Sequence, residues 1–447
     1  MKNEISIDVA GFKKVLDMMK GTIVSKAALP ILTCVRMDWD RENELFTLTG
    51  SNGDSTLSVV CAEQRLNDDG QTILDPCVHM VTTEQENVWV PICVNYQQLR
   101  DIFALLPLAR RCTVTIEEND ESRLMTIDYQ DGEMALPFES ADEFPMPVAV
   151  ITPSDPKYIE WQKKLEKAKA ENNEKEVAQL DAKMPVKPVC RFTTDAATLL
   201  ATIREARTCT AADELRPAME AVCIDAFADH MIVVATNGHM LYKNVFDTGI
   251  GWLEYQTFAV GQSAALMLPK QSLSTIIAAF VQADKITVTA DTQRIHLQAA
   301  GVELTVRTVD GHYPNYESVI PKDSPYCVAI DRQTLRMALR RVQLSAESSQ
   351  NMAVLKADGA SFIVEATDIN YGRNGSERVP MQQNDAFLPD GFKIGVKLSM
   401  TLELLDLLDE PNINLFFSDP SRAILMKNEA QKQSKTLLQM PMMIQES

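Results

Sequence analysis

Apolar and polar positions along the chain follow one pattern that is used repeatedly. The segments ISIDVAGFKKVLDMMKGTIV (5–24), CRFTTDAATLLATIREARTC (190–209) and YCVAIDRQTLRMALRRVQLS (326–345) each open on a short β-prone run. Each then passes a polar or acidic residue suited to capping a helix and continues with apolar residues at helical spacing. Pairs of alternating runs joined by polar or glycine-containing turns come next: LPILTCVRMDWDRENELFTLTGSNGD (29–54), RPAMEAVCIDAFADHMIVVATNGH (216–239) and NMAVLKADGASFIVEATDIN (351–370). A fainter echo of strand, helix and strands recurs in VPICVNYQQLRDIFALLP (90–107), LMLPKQSLSTIIAAFVQ (266–282) and KIGVKLSMTLELLDLLDE (393–410). The pattern predicts six half-units of one helix and several strands, paired into three α+β domains with boundaries at 1–150, 151–321 and 322–447.

Matching points lie 185 residues apart from Ile7 to Phe192 but 136 apart from Phe192 to Val328, so the first interval holds an insertion. Residues 153–188, bracketed by prolines, fit that role. The Glu160→Lys164 and Glu171→Lys175 spacings predict an exposed helix or helical hairpin projecting outward, with ENNE (171–174) as its turn. A further polar excursion is expected around NDDGQTILDP (67–76).

At 447 residues the chain is too long for one core. It has no run of membrane-spanning length, its opening MKNEISIDVAGF lacks the apolar stretch of a signal peptide, and nine scattered cysteines form no CxxC pair, so a cytoplasmic protein is expected. The net charge of −19 argues against a generally adhesive nucleic-acid binder. That charge is unevenly spread. Five helical segments (8–26, 95–111, 195–207, 270–285 and 331–344) hold 15 Lys or Arg against 7 Asp or Glu, leaving 28 against 55 elsewhere. The sixth, with Glu403, Asp406, Asp409 and Glu410 against Lys397, departs from this trend. Five histidines show no metal-ligand spacing, and no P-loop, GxGxxG or GxSxG occurs, so neither an enzyme nor a metal or other cofactor is expected.

The motifs ALPILTCV (28–35), VVATNGHMLY (233–242), GHYPNYESVIP (311–321) and MPMMI (440–444), in this order and with three repeats, resemble the bacterial DNA polymerase III beta subunit, the sliding clamp. The resemblance implies three clamp-type domains per chain and a ring closed by a head-to-tail homodimer around duplex DNA. It implies no catalytic activity. The ring would raise processivity by tethering the catalytic subunit of DNA polymerase III, the clamp loader, and other polymerases and repair proteins through short peptides. Contacts to DNA would go to phosphates without base reading, through Lys26, Arg100, Arg204, Arg207, Lys270, Arg336 and Arg340. The subunit interface would join the strand around Met134 to Leu136 to the helix end around Leu344. A non-DNA scaffold on the same repeat is the alternative.

The resemblance also implies a partner-peptide pocket. Its residues here are Met219, Thr236, Gly238, His239, Met240 and Leu241, then Pro314, Ser318 and Val319, then Lys397, Met400 and Ser421, and finally Met440, Pro441, Met442, Met443 and Ile444. The family has Asp and Arg in the histidine loop where this chain has Asn237 and Met240, and Arg where it has Met443, which makes a more apolar pocket the expectation. Gly238 is equally read as a turn residue needing positive φ, and His239 as a turn histidine. The tail LLQMPMMIQES (437–447) has two open readings: a closing strand on a core, or a soft methionine wall for a partner's peptide.

Overall fold

The repeats emerge as helices capped by equivalent residues. The computed structural model describes the chain except residues 1, 41, 44, 62–64, 67–71, 75–76, 82–88, 109, 120–121, 184–185, 213–214, 228, 248–252, 257–262, 383–387, 429–434 and 445–447. Among the described residues there are eight α-helices: α1 (Val9–Met19), α2 (Tyr96–Leu105), α3 (Pro156–Ala170), α4 (Glu174–Lys183), α5 (Ala196–Ala206), α6 (Lys270–Phe280), α7 (Arg332–Gln343) and α8 (Leu398–Asp406). Each of α1, α5 and α7 follows an aspartate whose carboxylate accepts a backbone N–H at the helix start. Asp8 takes Gly11 N at 2.7 Å, Asp195 takes Thr198 N at 2.7 Å, and Asp331 takes Thr334 N at 2.7 Å. Hydrogen bonds from the Thr198 side chain and then its backbone hold the Asp195 carboxyl below its usual value. Asn95 does the same for α2, whereas Pro269 and Lys397, before α6 and α8, offer no side-chain cap. Two of the three fainter half-units thus lack the side-chain cap.

The chain forms two compact units, Met1–Ala201 with Ile250–Val309 and Thr202–Gly249 with Asp310–Ser447. In the first, one antiparallel sheet of fourteen strands runs from Leu253–Gln256 to Val78–Met80. It passes from the second expected domain to the first where Val302–Arg307 pairs with Ser55–Val60, in the register Leu304↔Leu57. α1 buries Val9, Phe12, Val15, Leu16 and Met19. Phe12 packs tilted against Phe103 of α2 with ring centroids 4.7 Å apart, and the Tyr96 hydroxyl donates to Leu16 O at 2.8 Å, so the two half-units share one core. Gly21, just beyond α1, has no room for a side chain: a Cβ there would lie 2.3 Å from Thr275 Oγ1 on α6.

The insertion is a helical hairpin with a core of its own. Asp155 caps α3 and Pro156 starts it. Tyr158, Trp161 and Leu165 pack with Ile151, Val177 and Leu180, and Trp161 Nε1 donates to Leu180 O at 2.8 Å. Glu160 and Lys164 pair at 2.6 Å as their spacing predicts. The second expected pair does not form. Glu171 sits at the end of α3, before the turn, so helical spacing to Lys175 is broken and its carboxylate faces Lys167 at 4.0 Å instead. Most of the expected excursion at 67–76 lies outside the described residues.

In the second unit seven strands form one antiparallel sheet, in the order Ala221–Ala226, His230–Thr236, Met240–Asp247, Thr436–Gln439, Ile424–Asn428, Asn412–Phe417 and Tyr326–Asp331. A four-stranded sheet runs Arg373–Pro380, Ser361–Asp368, Met352–Asp358, Lys393–Lys397. α7 buries Leu335, Ala338, Leu339 and Val342.

His296, in the first unit, makes the fold sensitive to acid. The ring is half-buried, with Nδ1 3.1 Å from Thr305 Oγ1. Burial pushes its pKa below the ordinary value, partly opposed by Glu303. The folded state therefore prefers the neutral ring. Its contribution is complete above the unfolded pKa of about 6.5 and is lost as pH falls below it. The melting temperature of the wild type should fall more steeply between pH 7 and 5 than that of His296→Asn. Parallel pH profiles for the two proteins would overturn this assignment.

Candidate peptide cleft and nucleic-acid face

The tail is a strand first and an extended segment second. Thr436–Gln439 pairs on one side with Met240–Lys243, in the register Met240↔Gln439, and on the other with Ile424–Met426. Leu437 and Leu438 are buried as core residues. Beyond Gln439 the ladder ends and the chain continues extended. Met440 N donates to His239 O at 2.8 Å, and Met442 N donates to Gly395 O at 2.8 Å. Gly395 is required there, because a Cβ would lie 2.5 Å from Met442 O. Met440 is 37% exposed and Met443 91%. The closing-strand reading holds for Thr436–Gln439, and of the residues that follow Met440 alone lines a cleft.

The turn at 236–240 is built by its own side chains. Asn237 Oδ1 accepts His239 N at 2.9 Å and Met240 N at 2.8 Å. Thr236 Oγ1 donates to Met240 O at 2.8 Å and accepts Gly238 N at 3.1 Å. Gly238 has φ +85°, the left-handed conformation that the sequence suggests for it.

This turn, the strand beside it and the short helical turn Tyr316–Val319 enclose a cleft of about 150 Å³. Nine residues singled out in the sequence line it: Met219, Thr236, Gly238, His239, Met240, Leu241, Pro314, Val319 and Met440. Asn315, Tyr316 and Leu438 line it too. Sequence reasoning passed over these three, although they lie inside the motifs YPNYESV and LLQMPMMI. Ser318, Lys397, Met400, Ser421, Pro441, Met442, Met443 and Ile444 are not among the lining residues. Lys397 has a positional role instead, since its carbonyl accepts Gln439 Nε2 at 3.1 Å.

No lining residue is Lys, Arg, Asp or Glu. The Tyr316 hydroxyl donates to Asp225 Oδ2 at 2.9 Å, and burial together with that carboxylate drives the phenol's pKa far up, so the ring is neutral. Lys243 sits over the Tyr316 ring at 5.8 Å but is ion-paired with Glu317. The cleft can therefore take apolar anchors and offers backbone and hydroxyl groups at its edges.

The residues proposed from sequence to face DNA divide into two sets. Arg100 is paired with Asp17 at 3.3 Å, and Arg336 holds Asp406 through Nε at 2.5 Å and Nη2 at 3.2 Å. Charge counting along the sequence does not detect such neutralisation by a neighbouring helix. Lys26, Arg204, Arg207 and Arg340 are exposed, Arg204 and Arg340 in the last turns of α5 and α7. Lys270, opening α6, is half-buried. At the proposed subunit interface Met134 is 38% exposed and Leu344 75%, but Leu136 is 7% exposed and belongs to its own domain's core.

Comparison with known proteins fits this architecture. Residues 317–443 match the sequence model of the DNA polymerase III beta subunit, C-terminal domain. The beta sliding clamp of Synechococcus elongatus is 25% identical over 306 residues, 66% of this chain and 70% of that protein. Among solved structures, the sliding clamp of Pseudomonas aeruginosa bound to griselimycin superposes with a TM-score of 0.77 at 17% identity, covering 99% of this chain and 100% of that one. The Bacillus subtilis clamp gives 0.75 at 18%, covering all of both chains. The fold is that of a DNA sliding clamp. The chain is similar to the DNA polymerase III beta subunits in fold, and residues 317–443 match that family's C-terminal domain in sequence.

The dependence of the tail on Gly395 is open to test. In Gly395→Val the amide of Met442 should lose its protection from hydrogen exchange while Leu437 and Leu438 keep theirs. Unchanged protection at Met442 would show that the tail is held by something else.

Proposed function

We propose that the protein is a processivity clamp that closes as a head-to-tail dimer around duplex DNA and holds polymerases and other DNA enzymes by short peptides in the cleft. The clamp loader would open and place it. The observation that carries this reading is the uncharged apolar cleft, assembled from residues of the histidine loop, the Tyr316 turn and the tail. A small pocket of this kind suits one or two Leu or Phe anchors, and a few buried anchors dominate such interfaces at roughly 2 kcal/mol or more each. Methionines on its walls repack around different anchors, as a hub with several partners requires. The division into domains at 1–150, 151–321 and 322–447 is part of the same reading, supported by the recurring order of capped helix and hairpin.

Two open strand edges favour ring closure. Strand Gly132–Ser140 pairs through its whole first part with Arg123–Tyr129, but on its other side only Phe138–Ser140 are paired, with Ile92–Val94. In the second unit Arg373–Pro380 is an edge strand. Bare edges invite pairing. An antiparallel union of these two in neighbouring chains, flanked by Met134 and Leu344, would close a ring. The exposed cations Lys26, Arg204, Arg207 and Arg340 would face the duplex, where non-specific phosphate attraction permits sliding.

Two outcomes follow. The double variant Met134→Asp/Leu344→Asp should sediment as a monomer and fail to remain on nicked circular DNA, whereas the wild type remains and is released when the circle is cut. A wild type that stays on linear DNA as well would point to a scaffold that binds rather than encircles. Separately, a peptide with a Leu/Phe anchor should bind at micromolar level, about −8 kcal/mol. Met440→Asp should weaken it at least tenfold without changing dimerisation, and undiminished binding would remove the cleft from the mechanism.

A further inference from the structure

The turn Tyr316–Val319, which forms one wall of the apolar cleft, has little backbone to hold it in place. Residues 312–315, which lead into it, have no regular secondary structure, and the Asn315 side chain makes no capping hydrogen bond. Within the turn, Ser318 N and Ser318 Oγ both donate to Asn315 O, at 3.3 and 2.7 Å. These bonds shape the turn but do not set it against the sheet. Glu317, Ser318 and Val319 are exposed, and Tyr316 is the one buried residue of the four.

Side chains set it there. The Tyr316 hydroxyl donates at 2.9 Å to Asp225 Oδ2, on strand Ala221–Ala226. The Tyr313 ring meets the Tyr316 ring edge-on, with centroids 6.4 Å apart. Lys243, on strand Met240–Asp247, lies over the same ring and pairs with Glu317. That bridge ends on an exposed glutamate, where solvent weakens it. The bond to Asp225 is of a stronger kind, since a hydroxyl donating to a carboxylate is about twice as strong as a neutral pair.

The strand itself has no use for a carboxylate at 225. Val222, Cys223, Ile224 and Ala226 around it are buried and apolar. Its second oxygen, Oδ1, is buried and has no hydrogen-bond partner among the described residues. Asp225 does not line the cleft. A carboxylate held in this way is unfavourable, and an apolar residue would suit the strand better. What the carboxylate supplies is the tether on Tyr316.

We infer that Asp225 is a positioning residue of the cleft: through the Tyr316 hydroxyl it fixes the turn 316–319 as a standing wall for the apolar anchor of a bound peptide. The inference rests on the reading of this cleft as the peptide site. A wall fixed before the peptide arrives removes an ordering cost from the binding step. Without the tether the peptide itself must order Tyr316 and Val319, and affinity falls although no lining residue has changed.

The test compares Asp225→Ala, Asp225→Asn, Tyr316→Phe and the double variant Asp225→Ala/Tyr316→Phe in the full-length protein. It reads hydrogen exchange at the Ser318 amide and the anisotropy of a fluorescein-labelled peptide with a Leu/Phe anchor. Asp225→Ala and Tyr316→Phe should each speed Ser318 exchange roughly tenfold and weaken the peptide roughly fivefold. Leu437 and Leu438 should keep their protection throughout, which separates a freed turn from an unfolded unit. If Asp225→Ala disturbs the sheet, Tyr316→Phe, which leaves the strand intact, decides alone. Asp225→Asn keeps an acceptor oxygen for the phenol and should hold both values within about twofold of the wild type. Both single variants remove the same bond, so the double variant should be no weaker than either. The inference is overturned if the double variant shows the product of two losses, if Asp225→Asn falls with Asp225→Ala, or if Tyr316→Phe leaves peptide affinity unchanged. Ser318 exchange needs no peptide: faster exchange in Tyr316→Phe, beside a wild type that binds no peptide, would support the tether and remove the peptide reading alone.

Discussion

The second unit depends on a four-residue strand, Thr436–Gln439, laid between Met240–Asp247 and Ile424–Asn428. Without it, two hydrogen-bonding edges would be bare in the middle of the sheet. A strand this short supplies few ladder bonds, and side chains fix it at both ends. Lys435 is 8% exposed and its ammonium reaches Glu205 at 2.9 Å, Leu407 O at 3.0 Å and Asp409 at 3.4 Å. Glu205 also accepts the buried Tyr242 hydroxyl at 2.7 Å, which raises the phenol's pKa beyond what burial alone does. At the other end Gln439, fully buried, donates to Lys397 O and accepts from Thr401 Oγ1 at 2.9 Å. Removing Glu205 would leave the half-buried Lys435–Glu205 pair broken and the ammonium with only Leu407 O and the exposed Asp409. The pair thus fixes where Met440 begins, and so the shape of the cleft wall.

The distribution of charge follows a related logic. On α1, α2, α7 and α8 some cations are spent on holding helices together: Arg100 to Asp17, Arg336 to Asp406, with Arg332 donating to the Glu410 and Leu405 carbonyls. Of the acids that set α8 apart from the other five repeat helices, one has this local cause. Asp406 serves as the counter-ion of α7. Exposed cations near helix C-termini, such as Arg204 and Arg340, are favoured there by the helix dipole and remain available to solvent.

The repeat could be read in the sequence because its signals are local. An Asp before each outer helix, apolar residues at helical spacing and alternating hairpins all lie within some 50 residues of one another. The insertion was equally legible from its prolines, although the Glu171 pairing was not, since one turn residue decides which side of the helix break it joins. The site was legible in part. Its histidine loop and tail are contiguous motifs, whereas membership of Leu438 depends on the strand register Leu241↔Leu438, a long-range pairing, and that of Tyr316 on where its short 3₁₀ turn packs. Ion pairs between helices and the burial of Leu136 have the same origin. Spacing along the chain carries no information about them.

The departures in the histidine loop separate two jobs that one loop performs. The backbone job needs an acceptor at residue 237 for two N–H groups and a positive φ at residue 238. Asn237 and Gly238 supply both, so replacing a carboxylate by an amide leaves the turn intact. The side-chain job falls to Met240, which is 3% exposed and faces the cleft rather than solvent. A cation buried to that extent would need a counter-charge, and no acid lines the cleft to provide one. Methionine at 240 and the absence of lining acids are therefore one adaptation. Together with Met440 they give the cleft an apolar wall free of Lys, Arg, Asp and Glu.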